Sequence, residues 1–213
     1  AGRKARMDSL IMVSNPLHTN LPELDKAVDW ITLTMDELIT EQQGKGIYAG
    51  LPWFNEYWGR DMFIAMPGAT LVTGQFEVTK EILKDFAQLQ DRDTASVTCG
   101  RIPNRANLED ILYNTADGTP RYVIEAEELL RYSGDSSFLH DIYPSVVLSI
   151  DQSLFHHTDA KGYLLHEDAD TWMDVKRNGI AGSPRGNRAN DIQYLWYRQL
   201  EAGAHLARLM ADS

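Results

Sequence analysis

The spacing of hydrophobic residues predicts a chain built mainly of amphipathic helices. Between residues 24 and 42, apolar side chains recur every three or four positions, as on one face of an α-helix: Leu24, Ala27, Val28, Ile31, Met35, Leu38 and Ile39. Leu21-Pro22 supplies a start, because proline is favoured in a first helical turn, and Gly44 and Gly46 supply an end. We therefore predict a helix from Leu24 to Gln42.

The next two helices differ in their pattern. The segment after Asp61 is apolar on all sides through Val72 and is interrupted at Pro67-Gly68, which is typical of a buried helix. The helix after it has a single apolar stripe and is predicted to lie at the surface: Phe76, Ile82, Leu83, Phe86 and Leu89.

Three more helices are predicted from their end signals. Thr119-Pro120 opens a helix that runs to Tyr132 and ends at Gly134. Asp135 starts the next one, which Pro144 should break or kink before it resumes to about Phe155. The last helix spans residues 187–210.

Strand-like alternation is nearly absent outside the first fifteen residues. We therefore predict an all-α fold of about six or seven helices, with no repeat or linker that would divide the chain. The loops at 91–117 and 159–187 are unusually long. Loops of more than about 15 residues in a compact domain are commonly functional.

Charge and cysteine content narrow the classes of partner. The 213 residues carry a net charge of -11, which disfavours nucleic acid and anionic membranes because both would be repelled. No segment approaches the roughly 20 apolar residues of a membrane helix. Cys99 is the single cysteine, so no internal disulfide is possible. We expect an intracellular, cytoplasmic protein whose ligand is a neutral small molecule or polymer.

One stretch combines aromatic and charged residues in a way that favours sugar binding. Five aromatic residues fall within eleven positions: Trp53, Phe54, Tyr57, Trp58 and Phe63. Arg60 and Asp61 lie among them, at the start of the predicted buried helix. Sugar sites need flat aromatic faces together with charged side chains that bind hydroxyls. The alternative is that Asp61 only caps the helix, Arg60 is its surface neighbour and the tryptophans are core.

A second candidate site is an acidic loop around Trp172. Four carboxylates crowd this loop: Glu167, Asp168, Asp170 and Asp174. Like charges near an apolar ring can raise a carboxyl pKa, as a general acid requires. A solvated acidic loop or a calcium site would explain the same residues. An EF-hand is excluded because Met173 stands where that loop requires glycine, and Gly179 where it requires glutamate.

The residues give no sign of a metal centre, a cysteine nucleophile or a phosphate loop. The six histidines lack zinc-ligand spacing. Cys99 has no obvious histidine base nearby, and "GRIPNR" and "SPRGNR" lack the glycine spacing of a phosphate loop. We predict neither a metal nor an organic cofactor.

Five motifs, in order over residues 46–200, resemble one family. They are "YAGLPWFNEYWGRDMFIAMPG", "GRIPNR", "YNTADGTP", "TWMD" and "SPRGNRANDIQYLWY". Together they are similar to the glucosidase domain of glycogen debranching enzymes, amylo-α-1,6-glucosidase. The resemblance implies an (α/α)6 barrel, an Arg60-Asp61 pair that grips the terminal glucose, and Asp174 as general acid. It also implies further substrate-binding residues in these motifs: Trp53, Trp58, Asn114, Asp117, Trp172, Arg185 and Asp191.

The chain departs from this family pattern in three places. Asp191 stands where relatives have glutamate, and Arg121-Tyr122 where they have an aromatic pair. The family's catalytic base is a glutamate beyond the last residue of this sequence, and its barrel has twelve helices, about twice the number predicted here. We therefore expect residues 1–22 to be a lead-in or the end of an upstream domain. Residues 23–213 would form the N-terminal half of a barrel that the rest of the polypeptide, or another chain, completes.

The resemblance implies inverting hydrolysis of α-1,6-glucosidic branch points in glycogen or a related α-glucan. Two alternatives stay open. The chain could belong to another (α/α)6 α-glycosidase acting on small glucosides or oligosaccharides, or it could be a non-catalytic carbohydrate-binding or structural unit.

Overall fold

A computed structural model describes residues 2–14, 17–42 and 44–212 of the chain. Its helices are α1 (Gly2–Val13), α2 (Pro22–Glu37), α3 (Gly59–Met66), α4 (Phe76–Gln88), α5 (Gly118–Ser133), α6 (Leu139–His156) and α7 (Asn190–Leu209). Its strands are β1 (Ile39–Gln42), β2 (Gly44–Gly50), β3 (Phe54–Trp58), β4 (Arg105–Ala106), β5 (Ile111–Leu112), β6 (Lys176–Arg177) and β7 (Ile180–Ala181). The prediction of a helix-rich fold is confirmed, with only small antiparallel sheets added.

Consecutive helices from α3 onward alternate between two layers. Within one layer α5 packs against α3 and α7, and in the other α4 packs against α6. Contacts of α4 with α5, and of α6 with α7, join the layers. This is the packing expected of part of an (α/α) barrel. It gathers the N-terminal ends of α3, α5 and α7 at one end of the molecule.

The main core lies between the two helical layers. Phe63 of α3 packs edge-on against Phe86 of α4 and Tyr122 of α5, with ring centroids 5.6 and 5.7 Å apart. The Tyr122 hydroxyl donates a hydrogen bond to the Leu83 carbonyl, which satisfies the one polar group of this aromatic cluster. A smaller core supports the loop before α7: Ala116, Leu164, Ala189, Ile192 and Trp196. No described helix is long and apolar enough to cross a membrane.

A five-stranded antiparallel sheet, in the order β1-β2-β3-β4-β5, precedes and flanks α3. Tyr57 of β3 is fully buried beneath the β1–β2 hairpin, and its hydroxyl donates to the carbonyls of Thr40 and Gly44. A Cβ on Gly46 would lie only 2.6 Å from the Tyr57 ring, so the close packing requires glycine there. Pairing of β3 with β4 brings the loop at 91–117 against the start of α3.

The secondary structure predicted for the first 42 residues was partly wrong. The strand-like region at the start is the helix α1, which is joined to α2 by exposed ion pairs of Arg3 with Glu37 and of Arg6 with Asp36. The predicted helix to Gln42 ends at Glu37, and the chain continues as a strand. The register of that strand depends on Tyr57, which lies far along the chain, so local periodicity could not reveal it.

Neither internal proline breaks its helix. α3 continues through Pro67–Leu71 as a π-helix, and α6 is continuous with Pro144 as its sixth residue. The segment after Asp61 is also not buried on all sides, because Ile64 and Val72 are about half exposed. The predicted helices that became α4, α5 and α7 are confirmed to within a few residues, and Gly134 ends α5 in the left-handed conformation, with φ 68°.

Gly59, the first residue of α3, fits against the loop at 91–117 with no room for a side chain. Its amide donates to the Asn104 carbonyl at 2.6 Å, and a Cβ would lie 2.3 Å from the Pro103 carbonyl oxygen. We expect Gly59→Ala to lower the free energy of unfolding by about 1–3 kcal/mol, because the backbone of one segment must shift. Denaturant unfolding measures this change.

Gly68 is the matched control for that substitution. A Cβ at Gly68 would meet nothing within 4 Å, and its φ is not in the left-handed range. Gly68→Ala should leave the stability unchanged or raise it, since alanine favours helix by up to about 1 kcal/mol. Equal losses in the two variants would contradict the steric explanation.

Candidate active site

Arg60 joins three segments of the chain at the N-terminal ends of the helices. Its Nε donates to Asp117 Oδ2 at 2.6 Å, its Nη1 to Asp174 Oδ2 at 3.0 Å and its Nη2 to the Thr171 carbonyl at 2.9 Å. Asp117 is the N-cap residue of α5, and Asp174 follows Trp172 in the acidic loop. The structure therefore brings three of the sequence-predicted residues, Arg60, Asp117 and Asp174, into direct contact.

Burial and charge act in opposite directions on the Arg60 guanidinium. Only 8% of the residue is exposed, and this burial by itself lowers its pKa. The charges and hydrogen bonds of Asp117 and Asp174 outweigh burial and raise the pKa of Arg60 above its usual value. Because each of its three nitrogens already donates to a protein oxygen, the side chain is fixed. Arg60 can therefore hold the carboxylates of Asp117 and Asp174 in position.

The loop at 91–117 holds the ends of α3 and α5 beside each other. The Ile102 amide donates to the Thr119 hydroxyl in the first turn of α5, and the Gly59 amide donates to Asn104. At the end of the loop, the Ala116 amide donates to the Asp170 carbonyl at 2.8 Å, which ties α5 to the acidic loop. These backbone contacts set the distance that the Arg60 side chain spans.

A second group of contacts fixes the start of α7. His166 Nε2 accepts from the Ala189 amide at 2.8 Å, while its Nδ1 lies 2.9 Å from the Glu167 carbonyl. These partners assign the proton to Nδ1. Asp168 accepts from the Gly186 amide, which links the acidic loop to "SPRGNR". These contacts position the segment that carries Arg185 and Asp191, two predicted substrate residues.

Those two residues, Arg185 and Asp191, bind each other. Arg185 Nη1 donates to Asp191 Oδ2 at 2.8 Å, and Asp191 lies in the first turn of α7. Burial of Asp191 raises its pKa, but the Arg185 hydrogen bond and charge, together with backbone amides, reverse that effect and lower the pKa of this carboxyl. Asp191 is therefore ionised at neutral pH.

An open concavity of about 480 Å³ lies beside the acidic loop. Its lining combines apolar surface, one guanidinium and one hydroxyl: Trp172, Met173, Val175, Arg177, Gly182 and Ser183. Trp172 is 61% exposed, so its ring is available to a ligand. Exposed aromatic surface next to fixed polar groups is the combination that suits a sugar ring.

The other predicted residues are not drawn into the Arg60 cluster. Asp61 and Trp53 are exposed, and neither side chain forms a hydrogen bond with another described residue. Asn114 is exposed and accepts from Asn104 at 3.3 Å. The Trp58 ring lies 5.9 Å from the Arg105 guanidinium in a cation–π contact. Binding roles for these four residues stay predictions.

Sequence reasoning missed two features of the site. The Thr171 contact with Arg60 uses a backbone carbonyl, which no residue type reveals. Glu125 of α5 is only 7% exposed, and its Oε2 is buried without a partner among the described residues. In the sequence, the one indication of a polar pair was the spacing of Glu125 four residues after Arg121, which places both on one helical face. No three His, Cys, Asp or Glu side chains in the described ranges are grouped to hold a metal ion.

A family model described as amylo-alpha-1,6-glucosidase matches residues 8–212. The chain belongs to this family. The search of curated proteins found no match. Membership in the amylo-alpha-1,6-glucosidase family accords with the five motifs and identifies a glycosidase-related domain, so a carbohydrate is the class of ligand to consider for the Arg60 cluster.

Glu125 should make the stability of this family member depend on pH. Burial, reinforced by Glu128 and partly offset by Arg121, raises the pKa of Glu125 from 4.5 to about 8. A carboxyl with a raised pKa in the folded state favours folding most below its unfolded pKa, and this contribution is lost as the pH rises to the folded value. Relative to Glu125→Gln, the wild type should therefore lose stability between about pH 4.5 and 8. Chemical denaturation across this range measures the difference.

The Glu128→Gln variant is the control for this pH effect. It removes a charge that raises the pKa of Glu125, so the transition should remain and move to lower pH. Parallel stability curves for wild type and Glu125→Gln would show that Glu125 is ionised in the folded protein.

Arg60→Lys tests the three-way contact. One ammonium cannot reproduce a planar fork to three oxygens, so at least one charge-assisted hydrogen bond should be lost. We expect a decrease of about 1.5–3 kcal/mol in the free energy of unfolding. Arg3→Lys, at an exposed pair with Glu37, should cost under about 1 kcal/mol. A similar small loss at both positions would mean that the Arg60 contacts contribute little.

Proposed function

We propose that the protein containing this chain hydrolyses α-1,6-glucosidic branch points in glycogen or a related α-glucan with inversion, and that Asp174 is its general acid. The observation that carries the proposal is the contact of Arg60 with both Asp117 and Asp174 beside the concavity at Trp172. Family membership supports a glycosidase and its carbohydrate substrate.

The two oxygens of Asp174 have different surroundings. Oδ2 accepts from Arg60, whereas Oδ1 forms no hydrogen bond with another described residue. About one third of the side chain is exposed. A proton carried by Asp174 therefore sits on Oδ1, from which it passes to the glycosidic oxygen as the bond to the anomeric carbon breaks. Arg60 keeps the carboxyl plane fixed during this transfer.

Inversion also requires a carboxylate that activates water on the opposite face of the sugar, with the two carboxyl groups about 6.5–9.5 Å apart. The family resemblance implies a downstream glutamate for this role. Among the described residues Asp191 is the alternative, because it is ionised and positioned by Arg185. We assign the general acid to Asp174. The activity of Asp191→Asn on the same substrate tests whether Asp191 is the base.

The Asp174→Asn substitution tests the acid in the full-length protein. Loss of the proton donor should lower kcat for glucose release from isomaltose by about 10²–10⁴-fold with little change in binding. α-Glucosyl fluoride needs little protonation of its leaving group, so its hydrolysis should fall much less. Rates are measured as glucose released.

Asp168→Asn and Asp170→Asn are matched controls in the same loop. Their carboxylates accept backbone amides from Gly186 and Glu167, and an asparagine side-chain oxygen can accept the same hydrogen bonds, so these variants should not show the substrate-dependent rate loss. Unchanged isomaltose turnover in Asp174→Asn would overturn the assignment and move the acid role to one of these residues.

Substrate comparison separates the remaining functions. Release of free glucose from a branched limit dextrin is expected for a debranching glucosidase. Activity confined to small glucosides would favour a different α-glycosidase, and binding of glucan without turnover would favour a non-catalytic carbohydrate-binding unit.

A further inference from the structure

Arg121 lies one helical turn after Asp117 on α5, and Glu125 lies one turn further. Residues four apart share a helical face, and side chains of a helix lean toward its N-terminus. Arg121 is therefore directed toward the end of α5 that carries Asp117 and the Arg60 contact. Glu125 is stacked behind it.

The charges around Arg121 match this placement. The pKa of Arg121 is lowered, mainly by burial. The positive charge of Arg60 lowers this pKa further, whereas the charges of Asp117, Glu125 and Asp191 raise it. Asp117, at the start of α5, and Asp191, in the first turn of α7, are therefore among the charges that act on Arg121.

None of these carboxylates pairs directly with Arg121. Its side chain forms no hydrogen bond, and no ion pair within 4.0 Å, to any residue in the described ranges. Its Nε is buried without a partner, whereas the terminal nitrogens Nη1 and Nη2, which also lack a partner among the described residues, are not fully enclosed. Arg121 therefore presents the guanidinium fork that Arg60, with its three nitrogens bound to protein oxygens, does not.

We propose that Arg121 is a further substrate-binding residue, whose terminal nitrogens donate to hydroxyl groups of the glucosyl unit placed between Asp117 and Asp191. This inference rests on the proposed function. Arg60 binds Asp117 and Asp174, and Arg185 binds Asp191, so these three carboxylates already have a guanidinium partner and Arg121 has none. A guanidinium binds two adjacent hydroxyls with a geometry that an ammonium cannot reproduce.

Arg121→Met tests the proposal in the full-length protein because it keeps the apolar stem and removes the donors. The Kd and KM for isomaltose should rise tenfold or more, as expected for loss of a hydrogen bond to a charged group, with a smaller change in kcat. Arg121→Lys should recover part of the affinity. Arg131→Met, in the last turn of the same helix, should bind isomaltose as the wild type does.

Monodeoxy analogues of isomaltose distinguish a direct contact from a structural role. Removing the hydroxyl that Arg121 binds should weaken binding to the wild type but not further weaken binding to Arg121→Met. If Arg121→Met does not fold, the same comparison is made with Arg121→Gln. Two results would overturn the inference while leaving the proposed function intact. One is an affinity of Arg121→Met for isomaltose equal to that of the wild type, and the other is an equal loss of affinity for each deoxy analogue in the two proteins. A wild type that neither binds nor cleaves isomaltose would overturn both.

Discussion

A buried guanidinium needs fixed partners, and the site of this protein is arranged around that requirement at Arg60. Leaving such a charge unpaired costs several kcal/mol, so its three acceptors must be present together. They come from α5 and from the loop before α7, 57, 111 and 114 residues away in sequence. The contact therefore fixes the relative position of segments that share no local structure.

The alternation of helices between two layers makes this contact possible. Because α3, α5 and α7 lie in one layer, their N-terminal ends face the same end of the molecule. Helix N-termini favour negative charge. Asp61, Asp117 and Asp191 each lie in the first turn or at the cap of one of these helices. The fold thus supplies a favourable environment for the carboxylates that a glycosidase needs.

Arg60 and Arg121 have different environments and therefore different uses. Arg60 is almost fully enclosed and has protein oxygens on each nitrogen, so its effect on substrate passes through the carboxylates that it holds. Arg121 forms no ion pair or side-chain hydrogen bond with any described residue, although the charges of Asp117 and Asp191 act on its pKa. Glu125, one turn behind it, has a pKa that burial raises to about 8, so its proton is held more tightly than that of an exposed carboxyl.

Residue spacing alone was enough to predict the helices whose burial is local and one-sided. The stripe of α4, the end signals of α5 and the period of α7 each reflect a single face packed against a neighbour, which periodicity records directly. The motifs also predicted Arg60, Asp117 and Asp174 as site residues, and the structure shows that Arg60 binds the other two side chains.

Three features could not be predicted without the tertiary structure: the strands before α3, the Thr171 carbonyl contact and the burial of Glu125. Each of these depends on a distant segment: Tyr57 packs under Gly46, Arg60 reaches a backbone oxygen, and neighbouring elements enclose a carboxyl that would otherwise face water. Hydrogen bonds to the backbone and the exclusion of solvent cannot be predicted from residue spacing. They depend on which segments of the chain come together, not on the residues within one segment.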